Sequence, residues 1–115
     1  MKLSGPDALA QTLAFANKEI PAPRGSLAAG TDLRADLRMI WEDAESFADT
    51  FFRAFEVDPG DFEIGRYFPR EGSLLTAVTG LWRKPAPPPR LTLGMFAQAA
   101  ADGVWNSGKL ARTTD

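Results

Sequence analysis

The chain has 115 residues, enough for one domain and too few for two well-packed ones. It has no cysteine and no histidine, which excludes disulfides, Ser-His-Asp and Cys-His nucleophilic systems and the usual zinc sites within this chain, and argues against an independent enzyme. With 44% apolar and 24% charged residues it reads as an ordinary globular chain, and a net charge of −2 argues against a nucleic-acid partner, which is normally met by a basic face.

The start, Met1 to Asp7, has no uninterrupted apolar core and makes a poor secretory signal. No run approaches the roughly 20 apolar residues that a membrane span requires. The expected location is therefore cytoplasmic, with no membrane partner. A first helix is predicted from about Pro6 to Lys18, with Ser4 as cap, Pro6 in the first turn and Asp7 at the positive end of the dipole. Leu9, Leu13, Ala16 and Ile20 fall on one side, with Thr12 beside them. Pro21 and Pro23 stop it, and residues 21–30 read as a loop. Residues 31–37 suggest a turn or a frayed helical piece, with Leu33, Leu37 and Ile40 anchoring the connection.

The second helix carries the clearest pattern. Ala44, Phe47, Ala48, Phe51, Phe52 and Phe55 recur at helical spacing, and Glu42, Asp43, Glu45 and Asp49 occupy the front and outer face. Arg53, four residues after Asp49, is placed for an exposed ion pair worth a few tenths of a kcal/mol. Asp58-Pro59-Gly60-Asp61 ends the segment with turn chemistry. Phe62, Ile64, Tyr67 and Phe68 then predict a short helix or turn over the second helix. Residues 72–83 read as a helix, with a strand hairpin as the rival because Thr76, Val78 and Thr79 are β-branched. Pro85 to Pro89 is a stiff spacer, with a proline-motif ligand as the weaker reading. The last helix is predicted to start at Leu93 with Thr92 as cap. Leu93, Phe96, Ala97, Ala100 and Val104 share a face, and Gly103 is a left-handed stop. Trp105 is expected to fold back onto the last turn. The tail 106–115 reads as frayed.

This order of helices, the long first loop and the acidic second helix resemble acyl carrier proteins. More narrowly, Phe55-Glu56-Val57-Asp58, Tyr67-Phe68-Pro69 and Leu91-Thr92-Leu93-Gly94-Met95, with Ala99, Ala100, Gly103 and Trp105, resemble a bacterial family of uncharacterised acyl-carrier-like proteins. The resemblance spans about residues 30–106. It implies an all-α, acyl-carrier-like three- or four-helix bundle over residues 1–115. Residues 1–29 would supply the first helix and loop, and residues 66–90 an insertion with a proline-rich linker before the last helix.

Acyl carrier proteins attach phosphopantetheine to a serine of an Asp-Ser-Leu motif at the start of their second helix, where the helix N-terminus favours the phosphate. Anchoring the resemblance on Phe55 puts Trp41 in place of that serine. Ile40 then stands for the aspartate and Glu42 for the leucine, while Asp43 keeps an acid nearby. An indole has no hydroxyl to modify, so no cofactor is expected. Ser46, in Glu45-Ser46-Phe47, is the alternative attachment point, but it lies a turn inside the helix and out of register with Phe55.

Residues 42–63 hold eight acids against one arginine. In carrier proteins the corresponding surface docks on basic patches of partner enzymes by charge steering. The expected partner-binding residues are accordingly Trp41, Glu42, Asp43, Glu45 and Asp49, and the expected partner is a protein with a basic surface. Asp58, Asp61 and Glu63 lack the alternating spacing of a calcium loop, so no metal is expected. A paired-carboxylate glycosidase site would need a cleft and one raised pKa, neither of which the sequence suggests. Three readings follow: a non-catalytic interaction module, a carrier modified at Ser46, and a small enzyme using Asp, Glu, Arg or Tyr chemistry.

Overall fold

A computed structural model describes residues 5–20, 27–68 and 89–113. These residues form five helices and no strand. They are α1 (Gly5–Glu19), α2 (Trp41–Ala54), α3 (Ile64–Tyr67), α4 (Leu93–Asp102) and α5 (Ser107–Thr113). The all-α expectation holds for this part of the chain. Ser4, Pro21, Pro23, the segment 72–83 with its helix-or-hairpin alternatives, and Pro85 to Pro88 lie outside the described residues.

The α1 helix buries Ala8, Thr12 and Ala16, while Leu9, Leu13, Phe15 and Ile20 are half-buried against the core. The buried stripe is thus shifted by a residue from the predicted one. Small side chains at i, i+4 and i+8 let the helix lie close to α4, its main neighbour, and the leucines flank that seam. The Thr12 hydroxyl is buried there without a hydrogen-bond partner.

The α2 helix behaves as its periodicity demands. Ala44, Phe47, Ala48, Phe51 and Phe52 are buried, and Phe55 is half-buried. Phe51 and Phe96 are fully buried and meet at 5.1 Å between ring centroids. Phe15, absent from the predicted face of α1, touches Phe47, Phe51 and Phe55 at 5.5–5.6 Å. The helix ends in a Schellman motif: the amide of Val57 donates to the Phe52 carbonyl (2.9 Å) and that of Glu56 to Arg53 (3.4 Å). Glu56 supplies the left-handed residue, at φ 53°.

The segment before α2 is pinned by backbone rather than by the side chain of Ile40. The amide of Leu33 donates to the Leu91 carbonyl (2.9 Å), Leu93 to Thr31 (3.1 Å) and Gly94 to Ala29 (2.8 Å). Leu33 is buried and Leu37 half-buried, as expected, but Ile40 is 58% exposed. It is the N-cap of α2 in extended conformation, and that geometry turns its side chain outward. Gly94 permits the crossing, since a Cβ there would stand 3.0 Å from the Ala29 carbonyl oxygen.

The α4 helix begins as predicted. Thr92 Oγ1 accepts from the Met95 amide (3.3 Å), and the Met95 thioether accepts in return from the Thr92 amide (3.4 Å). Gly103 stops the helix at φ 83°. Val104 therefore leaves the helical face predicted for it and is 39% exposed, while its backbone pairs with Asp58. Trp105 is buried against Phe96, Phe52 and Phe62, with centroids at 5.1, 5.9 and 5.0 Å.

The expectation of a frayed tail is corrected. Residues 107–113 form α5, and Leu110 is buried. Asn106 Oδ1 accepts from the Lys109 amide (3.1 Å), and Asp61 Oδ1 accepts from the Ser107 amide (3.0 Å). Two side-chain oxygens thus satisfy amides that a short helix leaves open.

Candidate functional site

The acidic residues singled out in the sequence all stand exposed on α2: Glu42, Asp43, Glu45 and Asp49. Their dispositions differ. At about 100° per residue, Glu42, Glu45 and Asp49 form one outer stripe, whereas Asp43 falls nearly opposite Glu45, on the other flank of the helix. Asp49 is paired with Arg53 at 2.9 Å, and both side chains are well exposed. Such a pair contributes little stability. Glu42 and Asp43 lie in the first turn, where negative charge complements the helix dipole.

Trp41 is the first residue of α2 and is half-buried. Its six-membered ring lies over Gly65 of α3, where a Cβ would come within 3.0 Å of Cη2. The indole therefore packs where the start of α2 meets α3. The N-cap position is Ile40, which makes no side-chain cap, and the first helical position is Trp41, so neither of these two residues brings a hydroxyl to the start of the helix. Ser46 is exposed within α2, on its outer side.

Beside the outer stripe lies an open groove of about 480 Å³ between α2 and the segment 57–64. Ala48, Phe52, Val57 and Ile64 are its buried apolar floor, and Phe62 is half-buried among them. Glu45, Asp49 and Arg53 border it from α2, and Glu63 from the opposite side. Local chemistry builds this arrangement. The Schellman turn brings Val57 back onto Phe52. Asp58 Oδ1 then accepts from the Gly60 amide (2.9 Å), closing an Asx turn that redirects the chain to Phe62. Phe62 stacks on Tyr67 and meets Phe52 edge-on at 5.2 Å.

Of the predicted site residues, the groove takes in Glu45 and Asp49, while Trp41 packs on the neighbouring Gly65. Glu42 lies further out and Asp43 points away. Glu63, Phe62 and Ile64 were missed as site residues. Their signal was the alternation of apolar and acidic side chains straight after the Asp58–Asp61 turn, which places one kind inward and the other outward.

The other acids of this region have local tasks. Asp58 holds its own turn, and Asp61 holds α5. The Ser107 backbone amide draws the Asp61 carboxyl below its ordinary pKa, opposed by some desolvation and aided by the Ser107 side chain. Among the described residues no three acids gather as a metal-ligand group. No helix of the described residues is long and apolar enough to cross a membrane. A second hollow, of about 640 Å³, has Arg66, Tyr67, Arg90 and Ser107 in its lining and no acid among the described residues there.

No curated protein and no solved structure matches the chain. A family model does match, over residues 8–107, and so takes in most of α1, all of α2 to α4, the groove and the Asp61–Ser107 contact: the chain belongs to a family of proteins of unknown function, DUF1493.

Proposed function

We propose that this chain is a non-catalytic, acyl-carrier-like interaction module of the bacterial cytoplasm, and that the acidic outer side of α2 docks on a basic surface of a protein partner. The observation that carries this reading is the exposed row Glu42, Glu45 and Asp49, offset within α2 by Arg53 alone. A surface of one sign attracts its partner over a Debye length, about 10 Å at 0.1 M salt, and speeds encounter more than it tightens the final complex. Trp41, at the edge of this row, adds an aromatic side chain of the kind enriched at interface hot spots.

The test is capture of partners from the source cells with the full tagged chain and with Glu45→Lys/Asp49→Lys. The variant keeps its helical circular dichroism and thermal midpoint, because both positions are exposed. The chain with its own acids should capture a protein with a basic surface. The variant should lose it, and the association rate should fall about tenfold or more between 0.05 and 0.5 M salt. Equal capture by both chains overturns the reading. Intact-mass measurement after co-expression with a phosphopantetheinyl transferase addresses the carrier alternative: a gain of one pantetheine arm at Ser46 would replace the module with a carrier.

A further inference from the structure

The geometry points to the groove between α2 and residues 57–64 as a socket for a bulky apolar side chain of the partner, one flanked by lysine or arginine on the same segment. The inference rests on the acidic-docking reading and narrows it to one flank of α2. Two observations specify the occupant. The floor is lined by the apolar side chains of Phe52, Val57, Phe62 and Ile64. The lining carries acids from both of its segments, Glu45 and Asp49 from α2 and Glu63 from residues 57–64. Arg53, the one cation among the described residues of the lining, is already paired with Asp49.

An anionic ligand would be repelled by Glu45 and Glu63, and a neutral apolar one would gain nothing from them. A segment pairing an apolar anchor with cations on either side satisfies floor and border together. The groove is also open along one side, as a side chain carried on a protein backbone requires. The Schellman turn, through backbone hydrogen bonds, and the Asx turn, through the Asp58 carboxylate, hold its far wall, so the socket is formed before the partner arrives.

The test uses the full isotope-labelled chain and two synthetic peptides. One is an amphipathic helix of leucine and lysine, and the other has the same lysines with serine for leucine. The leucine peptide should shift the amides of Phe52, Val57, Phe62 and Ile64 in a saturable way and bind at least tenfold tighter than the serine peptide. Glu63→Lys should weaken the leucine peptide about tenfold. Asp43→Lys, an equal charge change on the flank away from the groove, should weaken it less than twofold. Equal binding of both peptides, with equal loss in the two variants, overturns the socket and leaves general acidic docking standing. Absence of saturable shifts with either peptide up to millimolar concentration overturns both. A stable dimer that buries Phe62 in the free chain gives the groove to a second copy and likewise overturns the proposal.

Discussion

The backbone of Gly60 passes directly against the carbonyl of Trp105. A Cβ on Gly60 would overlap that carbonyl oxygen, and Gly60 also sits at φ 54°. The contact belongs to a short junction in which the Trp105 amide donates to the Asp58 carbonyl (2.9 Å) and the Asp58 amide to the Gly103 carbonyl (3.0 Å). Gly60→Ala combines a left-handed penalty of about 1–2 kcal/mol with an overlap that only backbone movement relieves. Its expected cost is about 2–4 kcal/mol, read from urea denaturation. Gly103→Ala has the same sign of φ but open space around it, so its cost should stay near 1 kcal/mol. Equal midpoints for the two variants would mean that the junction is not closed as described.

The Asp61–Ser107 contact makes a pH-dependent prediction. The carboxyl is drawn below its ordinary value by the Ser107 amide, so the folded chain binds this proton less readily than the unfolded one. The stabilisation is therefore complete above the ordinary aspartate pKa and is lost as pH falls through the lowered one. In an acid titration followed by NMR, the Ser107 amide should move with a midpoint below the ordinary aspartate value. In Asp61→Ala the amide should not titrate, and Leu110 should exchange its amide proton faster as α5 loosens. An amide that titrates unchanged in the variant would assign the effect to another carboxylate.

Legibility in the sequence followed the length over which a pattern repeats. The α2 helix was readable because six apolar residues keep one period across three turns, and the structure buries five of them and half-buries Phe55. The α4 start was readable because Thr92 and Gly103 are strong punctuation. The tail was misread because α5 is short, and one of the side-chain oxygens that accept from its first-turn amides belongs to Asp61, 46 residues away. Ile40 was assigned inward on its type alone, whereas its place before the first turn of α2 turns it out. The acidic face was legible as composition. The groove was not, because Glu63 and Glu45 come to line one groove only after two successive turns redirect the chain.

Phe51 is the centre of the aromatic core. It is fully buried and touches Phe15, Phe47, Phe55 and Phe96, with the Phe55 ring stacked at 4.4 Å. Removing it strips contacts from three helices or their ends at once and leaves a cavity too central to collapse. Phe51→Ala should cost about 3–5 kcal/mol. Phe55→Ala, at a half-buried position, should cost less in the same urea titration. A smaller loss for Phe51 than for Phe55 would mean that Phe51 is not the centre of the aromatic core.

Glu56 offers a gain rather than a loss. It closes α2 from the left-handed region, at φ 53°, where side chains with a Cβ are strained by about 1–2 kcal/mol and glycine is at ease. The conformation is forced by its neighbours: Val57 must turn back to donate to Phe52, and Asp58 must reach the Gly103 carbonyl. The Glu56 side chain is exposed, so little packing opposes its removal. Greater freedom of glycine in the unfolded chain offsets part of the relief. Glu56→Gly should therefore raise stability by about 0.5–1 kcal/mol, seen as a higher thermal midpoint and slower exchange of the Val57 amide. Glu56→Ala keeps the strain and should leave the midpoint unchanged or lower. A fall in stability for Glu56→Gly would show that the glutamate side chain, and not the backbone turn alone, holds the end of α2.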